Sequence, residues 1–296
     1  MNLLHRIRGS LALAAMFLNT LLAMIPLYLL TLLKLLIKSE SAQVALSRAL
    51  VLIAESWTSV NNVIIALFSS VRWQISGLDN LRRDQWYFVV SNHQSWADIL
   101  ILQRLFNRRI PMLKFFLKQE LRKVPLLGDA WWALDFPFMK RYTREEIENN
   151  PALKGTDLDT TRIACEKFAF FPTSVMNFLE GTRFTRAKHD KQQSPYQWLL
   201  KPKSGGAAFT LGAMAGRLQT LIDVTIIYPR NTPRTLLAFL GGAINTVEVH
   251  VRTLPIPSWA AEGNYEQDEA FRLRFQQWIG DLWQEKDQLI ASRQAS

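Results

Sequence analysis

An uncharged, apolar run near the start of the chain restricts its fold more than any other feature of the sequence. From Ser10 to Leu33 there is no charged residue, and Leu, Ala, Met, Ile and Phe dominate. A helix of about 20 apolar residues can cross a bilayer, and this run is long enough to do so. A cleaved signal peptide is the alternative, because Arg6 and Arg8 give a basic start, but the run is too long and no Ala-x-Ala site follows it. The sequence therefore predicts a retained membrane segment.

The flanks of this run do not orient it. Cations lie on both sides, with His5, Arg6 and Arg8 before it and Lys34 and Lys38 after it. Because the excess of positive charge normally marks the cytoplasmic side, symmetric flanks do not fix the direction of a single span. They suit a segment that enters the membrane and returns.

A second apolar stretch, from Ala49 to Arg72, is consistent with such a return. Its apolar residues recur at helical spacing, but polar residues interrupt it, including Glu55 and Asn61. This pattern is typical of an amphipathic helix at the membrane interface. A buried core helix of the following domain is the alternative.

Composition limits the partners and the kind of site. A net charge of +10 with 20% charged residues indicates an anionic partner, which is a nucleic acid, a phosphorylated small molecule or an acidic membrane surface. Cys165 is the single cysteine, so no internal disulfide and no cysteine-based zinc site can form. The four histidines are scattered and include no His-Glu-x-x-His, so we expect no metal site.

Strand and helix signals alternate after residue 72. The predicted strands are Val71–Ser76, Trp86–Ser91, Met112–Phe116, Phe136–Met139, Ser174–Leu179 and Leu221–Tyr228, with a hairpin-like pair at Asn245–Val251. The predicted helices are Trp96–Phe106, a short one from Gln119, Pro151–Glu166, Ser204–Leu211 and Glu266–Ala291. Alternation of this kind predicts an α/β fold: one domain over residues 73–296 with a mixed central β-sheet flanked by helices, after N-terminal membrane-associated helices over residues 1–72.

The exit of the strand Trp86–Ser91 carries a histidine and an aspartate five residues apart, His93 and Asp98. Turns between strand and helix expose reactive groups in α/β enzymes, and a histidine oriented by a carboxylate can take a proton near neutral pH. No Gly-x-Ser-x-Gly surrounds Ser91 or Ser95, so His93 is predicted to activate a substrate hydroxyl. In the alternative interpretation Ser95 caps a helix, Asp98 lies in its first turn and His93 is an ordinary loop residue.

A second polar turn follows the strand Ser174–Leu179. Gly181 permits a tight turn, Thr182 can donate a hydrogen bond, and Arg183 and Arg186 offer forked donors suited to a phosphate. A solvated turn in which Glu180 pairs with an arginine is the alternative. A third basic pair, Lys140 and Arg141, follows the strand Phe136–Met139, where a solvated loop end is the alternative.

These segments together resemble a known family. Asn-His-x-x-x-x-Asp ending at Asp98, Phe-Met-Lys-Arg at 138–141, Phe-Leu-Glu-Gly-Thr-Arg at 178–183 and Val-Thr-Ile-Ile-Tyr-Pro at 224–229 are similar, in order and spacing, to the four blocks of glycerolipid acyltransferases. The resemblance covers about residues 75–235 and points to the 1-acylglycerol-3-phosphate branch, including its bacterial membrane-associated members. Each block alone is a weak signal, whereas four in order are specific.

The resemblance implies an O-acyltransferase that moves a fatty acyl group from an acyl thioester to the sn-2 hydroxyl of 1-acylglycerol-3-phosphate, giving phosphatidic acid. In such an enzyme His93 is the general base and Asp98 holds and polarises its imidazole. The acceptor's glycerol phosphate is bound by Glu180, Gly181, Thr182 and Arg183, with Arg141 and Lys140 assisting, while Ile227 and Pro229 line the acyl or acceptor site.

The same resemblance implies the partners and the location. The co-substrate is acyl-CoA or acyl-ACP, and no cofactor or metal takes part. The partners are a lysophospholipid acceptor and membrane lipids, and no nucleic acid. The enzyme is expected at the cell inner membrane with its catalytic domain facing the cytoplasm.

Two departures from the family pattern leave the acceptor open. Leu179 stands where the third block usually has proline, and the second block lacks the usual glycine-rich lead. Lysocardiolipin or lysophosphatidylinositol are therefore alternative acceptors, and the basic stretch 186–203 is a candidate for binding the headgroup or the donor phosphates. The non-enzyme alternatives are a basic membrane scaffold and a nucleic-acid binder.

Overall fold

The computed structural model describes residues 1–139, 168, 171–214 and 216–295. In chain order its helices and strands are α1 (Leu3–Leu36), α2 (Glu40–Phe68), β1 (Arg72–Ser76), β2 (Tyr87–Ser91), α3 (Ala97–Phe106), β3 (Leu113–Phe115), β4 (Leu117–Lys118), α4 (Leu127–Ala133), β5 (Phe138–Met139), β6 (Ser174–Phe178), α5 (Arg186–Gln192), α6 (Gly205–Ala213), β7 (Thr220–Ile227), α7 (Leu236–Leu240), β8 (Thr246–Pro255) and α8 (Glu269–Ala295). Single 3₁₀ turns occupy Gln119–Lys123 and Ser258–Ala261.

A mixed sheet of six strands forms the centre of the α/β domain, in the order β1-β8-β7-β2-β6-β3. Strands β7, β2, β6 and β3 run parallel to one another, whereas β8 is antiparallel to β7 and parallel to β1. All five residues of β2 are buried, as expected for a strand covered on both faces. The predicted mixed α/β fold is confirmed.

Alternate side chains of β2 enter two separate cores. Tyr87 and Val89 pack in the core shared with α1, α3 and α7, and Phe88 and Val90 pack in the core shared with α6 and α8. The carboxyl ends of the three parallel strands β2, β6 and β7 therefore lie at one edge of the sheet, where Ser91 is paired with both Phe178 and Val224. Segments that follow these strands meet at this edge.

The helices α1 and α2 are long and apolar enough to cross a membrane, and both expose apolar side chains. They are joined by hydrogen bonds between polar side chains: Asn19 Nδ2 donates to Asn61 Oδ1 at 2.9 Å, and Trp57 Nε1 donates to Thr20 Oγ1 at 3.0 Å. The exposed apolar side chains of α2 are Leu52, Val60, Val63 and Leu67. Exposed apolar surface on this scale indicates membrane association.

Both ends of α1 contact the α/β domain. At the amino end Gly9 lies so close to α7 that an added Cβ would be 2.6 Å from the carbonyl oxygen of Leu237. At the carboxyl end Tyr28 donates to Asp129 Oδ2 at 2.9 Å and Lys34 Nζ lies 3.1 Å from Asp135 Oδ2. The helix thus lies along the domain rather than projecting from it.

Several predictions of local structure need correction or extension. The hairpin expected at 245–251 is wrong: β8 is one ten-residue strand, because the buried positions Val247, Val249 and Val251 alternate without a turn residue and pair with β7. The helices α4, α5 and α7 and the two-residue strand β4 were not predicted, and α2 begins at Glu40 rather than near Ala49. The helix predicted for Pro151–Glu166 lies outside the described residues. The predicted division between residues 1–72 and 73–296 falls after the first residue of β1 and stays a prediction.

Candidate active site

The turn after β2, residues 92–98, is held to the neighbouring strand by a side-chain amide. Asn92 Nδ2 donates to the carbonyl of Ile226 at 2.8 Å, and the amide N–H of Ile226 donates back to Asn92 Oδ1 at 2.8 Å. Asn92 is fully buried, so neither bond is shared with water. This pair of bonds fixes where the chain leaves the sheet, and therefore where His93 begins.

Asp98 orients the imidazole of His93. Its Oδ2 lies 2.9 Å from His93 Nδ1 and also accepts the backbone N–H groups of Gln94 at 2.6 Å and Ser95 at 2.8 Å. Its Oδ1 accepts the hydroxyl of Tyr228 at 2.5 Å. Because the carboxylate of Asp98 accepts hydrogen bonds from the groups around it, the hydrogen between Asp98 and His93 is carried by Nδ1. Nε2 is then the nitrogen without a hydrogen, which can accept a proton.

The two interpretations of this turn therefore do not exclude each other. Asp98 does bind backbone N–H groups at the start of α3, as a helix-capping residue would, and it binds His93 with the same oxygen. Asp98 is fully buried, and 11% of the His93 side chain is exposed. The ring of His93 also stacks on Phe178, with 3.9 Å between centroids and 15° between planes. Bonds and packing together leave the imidazole one orientation.

The turn after β6, residues 179–183, is built around a buried acid and a glycine. Glu180 Oε1 accepts the backbone N–H of His93 at 2.7 Å and its Oε2 accepts that of Leu200 at 3.0 Å. Gly181 has φ of +68°, a conformation that glycine adopts without strain. Phe184 N–H donates to the carbonyl of His93 at 2.7 Å. The segment that follows β6 is thus hydrogen-bonded to both the backbone N–H and the backbone carbonyl of His93.

Burial changes the pKa of the Glu180 carboxyl group. Desolvation raises its pKa from 4.5 to about 7, assisted by the charge of Asp98 and opposed by the two backbone donors and by the charge of Lys286. With 0% exposure and both oxygens bound to the backbone, Glu180 is not placed to contact a ligand. The prediction that Glu180 binds the acceptor is corrected: its carboxylate joins the two turns.

A cleft of about 310 Å³ opens at this edge of the sheet. The described residues that line it include no carboxylate; they are His93, Trp96, Phe115, Phe116, Leu117, Lys118, Met176, Asn177, Phe178, Gly181, Thr182 and Arg183. Arg183 is exposed, and its guanidinium carbon lies 4.8 Å from the centroid of the Trp96 ring. The cleft is therefore lined by the histidine, by mostly apolar side chains and by the cations Lys118 and Arg183.

The structure brings together His93, Asp98, Gly181, Thr182 and Arg183 and leaves other predicted residues elsewhere. Lys140 and Arg141 lie outside the described residues, so their proposed contribution stays a prediction. Ile227 is buried in the core beneath α8 and does not line the cleft.

Three residues that shape this site were given no role in the sequence interpretation. Tyr228 donates a hydrogen bond to Asp98, Asn92 is hydrogen-bonded to the backbone of β7, and Phe178 stacks on the imidazole of His93. Each follows or ends a strand of the parallel part of the sheet. That position, together with their place inside three of the four family-like blocks, is the signal in the sequence by which these residues could have been identified.

Comparison with known proteins agrees with this geometry. The sequence model of a family described as Acyltransferase matches residues 72–247, which is more than half of the chain. Mouse (Mus musculus) 1-acyl-sn-glycerol-3-phosphate acyltransferase gamma is 29% identical over 213 residues, covering 68% of this chain and 51% of the relative. The human (Homo sapiens) delta enzyme is 28% identical over 254 residues, covering 82% of this chain and 60% of the relative. The chain thus spans about half the length of the curated relatives it matches.

One solved structure shares the fold over nearly the whole chain. The crystal structure of the 1-acyl-sn-glycerophosphate (LPA) acyltransferase PlsC from Thermotoga maritima superposes with a TM-score of 0.54 at 18% sequence identity. The match covers 99% of this chain and 98% of that one, so it includes the N-terminal helices as well as the sheet.

Proposed function

Because this chain belongs to the acyltransferase family, we propose that it transfers a fatty acyl group from an acyl thioester to the sn-2 hydroxyl of 1-acylglycerol-3-phosphate, giving phosphatidic acid. The observation that carries this proposal is the cleft in which His93, bound to Asp98, faces the same space as Arg183. The relatives named for this reaction support the choice of acceptor. Lysocardiolipin and lysophosphatidylinositol are the alternative acceptors.

His93 is proposed as the general base. Its Nε2 takes the proton of the acceptor hydroxyl while the oxygen attacks the thioester carbonyl, and the carbon–sulfur bond then breaks. No acyl-enzyme forms, because the acceptor oxygen attacks the donor directly. The proton passes from the histidine to the departing thiolate, which returns the histidine to its starting state. Asp98 keeps the imidazole in the tautomer with the proton on Nδ1 and stabilises the transient imidazolium.

The turn 181–183 is proposed to bind the phosphate of the acceptor. Arg183 presents a forked donor set to the cleft, and the hydroxyl of Thr182 lies on the same wall. Because Phe184 N–H is bonded to the carbonyl of His93, a phosphate held at this turn is kept at a constant distance from the base. Lys140 and Arg141 are proposed to assist.

The donor is proposed to be acyl-CoA or acyl-ACP, and the mechanism assigns no step to a metal or cofactor. Both substrates must meet at the membrane surface, because the acceptor carries one hydrocarbon tail and the thioester arrives dissolved. We place the protein at the cell inner membrane with the cleft facing the cytoplasm. The docking of α1 to α7 and α4 favours a helical pair lying along the interface and returning to the same side.

The test is a headgroup comparison with purified protein in vesicles, using labelled acyl-CoA and, separately, acyl-ACP. Lysophosphatidate, lysocardiolipin and lysophosphatidylinositol are offered at equal concentration, and His93→Ala is the matched inactive variant. We expect lysophosphatidate to be acylated fastest and His93→Ala to lose more than 10²-fold in rate while still sedimenting with vesicles. Acylation by His93→Ala at the wild-type rate overturns the assignment of the base, and preference for another lysolipid overturns the acceptor.

The same assay separates the enzyme from the non-enzyme alternatives. A membrane scaffold would sediment with vesicles and acylate none of the three lysolipids, and a nucleic-acid binder would be retained on DNA at moderate salt. Either result without acyl transfer contradicts the proposed function.

A further inference from the structure

One lysine, Lys188, lies outside the four family-like sequence blocks and contacts the turn of residues 179–183, called here the arginine turn. Lys188 Nζ donates to Thr182 Oγ1 at 2.7 Å and to the backbone carbonyl of Arg183 at 3.0 Å. Lys188 is half-buried, and its two acceptors are consecutive residues of the turn. The basic stretch 186–203 therefore includes one cation directed toward the turn that follows β6.

The helix that carries Lys188 is firmly placed. Thr185 caps α5 by accepting the N–H of Lys188 at 3.3 Å, and the buried His189 bonds through Nε2 to the carbonyl of Tyr196 at 2.6 Å. The ring of His189 also contacts Phe184, whose N–H bonds to the carbonyl of His93. Lys188 thus sits at a constant position relative to the catalytic histidine, and its contact with Thr182 does not depend on a mobile surface segment.

The contact with Lys188 determines which way the hydroxyl of Thr182 points. An ammonium group can only donate, so Thr182 Oγ1 must accept from it and its own hydrogen must point to another partner. Thr182 lines the cleft, where no described carboxylate competes for that hydrogen. A hydroxyl that accepts from a cation is also the stronger donor. An anionic ligand in the cleft would receive this hydrogen bond in addition to those of Arg183.

We propose that Lys188 is a positioning residue for the acceptor phosphate, acting through the hydroxyl of Thr182 and the carbonyl of Arg183. This inference rests on the proposed function, because it takes the phosphate of lysophosphatidate as the ligand of the turn. Lys188 is in none of the four family-like blocks; it lies in the basic stretch 186–203, and the inference gives this one lysine a specific role in recognising a phosphate monoester.

Steady-state kinetics with lysophosphatidate tests the inference. Lys188→Met keeps the length of the side chain and removes the donors, Lys188→Arg keeps a cation, and Lys191→Met changes an exposed lysine of the same helix. For Lys188→Met we expect KM for lysophosphatidate to rise about tenfold with kcat within about twofold, because the hydroxyl of Thr182 loses the ammonium donor that orients and strengthens its hydrogen bond to the phosphate. Lys188→Arg should recover most of the affinity, and Lys191→Met should match the wild type.

A double-substitution cycle shows whether Lys188 acts through Thr182. In a Thr182→Val background the hydroxyl is gone, so Lys188→Met should add less than about threefold to KM. Any of three results overturns the inference. The increases in KM of the two single variants multiply in the double variant, KM is unchanged in Lys188→Met, or kcat of Lys188→Met falls without a change in KM. The wild-type protein is assayed first: failure to acylate lysophosphatidate overturns the proposed function, whereas a normal wild-type rate with unresponsive Lys188 variants overturns this inference alone.

Discussion

The histidine turn (residues 92–98) and the arginine turn (residues 179–183) lie at the same edge of one sheet but are built in opposite ways. In the histidine turn Asn92, Ser95 and Asp98 are almost completely buried, and 11% of the His93 side chain reaches the cleft. In the arginine turn Leu179 and Glu180 are buried, while Gly181 and Arg183 are exposed. One turn is part of the core, and the other extends from it.

The difference matches what each turn is proposed to do. Proton transfer loses efficiency when the reacting atoms are misplaced by about 1 Å, so the base is immobilised by buried bonds and by stacking on Phe178. Binding a phosphate requires accessible donors, so Arg183 is left at the rim with Trp96 beside it. Substitutions in the histidine turn should therefore lower kcat, and substitutions in the arginine turn should raise KM.

The largest effect is expected for Asp98→Asn. The amide cannot accept from every donor around Asp98, so one of its N–H groups would face a backbone N–H or favour the wrong tautomer of His93. We expect kcat to fall about 10³-fold with KM for lysophosphatidate nearly unchanged. Steady-state kinetics in vesicles measures both constants, with Asp84→Asn on the exposed loop before β2 as the matched control. A tenfold rise in KM without a loss of kcat would contradict the division between the two turns.

Arg183→Ala should give a smaller effect of the other kind. Loss of a forked, charge-assisted donor should raise KM for lysophosphatidate about 30-fold and change kcat by less than about threefold. Arg183→Lys should recover part of the affinity, because a lysine keeps the charge but not the fork. Arg217→Ala, near the amino end of β7 and so at the opposite edge of the sheet, is the control. A loss confined to kcat would place Arg183 in the chemical step instead.

The smallest effect is expected for Glu180→Gln, the substitution that tests the link between the turns. The amide keeps the shape of the side chain but turns an N–H toward one of the two backbone donors, so we expect about a tenfold loss of kcat/KM. Both kcat and KM should change, because Glu180 holds both turns. A change in kcat alone, or in KM alone, would show that Glu180 does not hold both turns in place.

The same substitution has a signature in the pH dependence of stability. Burial raises the pKa of Glu180 from 4.5 to about 7, so the folded protein holds this proton more tightly than the unfolded chain. The resulting contribution to the free energy of unfolding is full below about pH 4.5 and is lost as the pH rises through about 7. The thermal midpoint of the wild type minus that of Glu180→Gln should therefore decrease between about pH 5 and pH 8, whereas the exposed Glu266→Gln should give a constant difference. A difference that increases with pH would contradict the raised pKa.

The parts of the fold that were predicted correctly are those with strong local periodicity. Strands β2, β6 and β7 and helices α3 and α8 lie where their apolar patterns indicate, with ends that differ from the predicted ones by at most four residues. The hairpin error at β8 arose because alternation alone does not reveal which strand is the partner: β8 pairs on one side with β7, which is close in sequence, and on the other with β1, which is distant. The helix α5 escaped prediction because six of its seven residues are polar and its anchor is the single buried residue His189.

The sequence by itself placed a histidine, an aspartate and an arginine just after apolar strands, and such residues come together once those strands pair in parallel. It also predicted that the first apolar run is a membrane segment, since that run is long enough to cross a bilayer. The tertiary structure alone decided that Glu180 faces the backbone and not a ligand, that Tyr228 completes the shell of Asp98, and that Lys188 lies beneath Thr182. These choices depend on distances between segments far apart in the chain, and side-chain type does not encode such distances until the sheet has brought the segments into register.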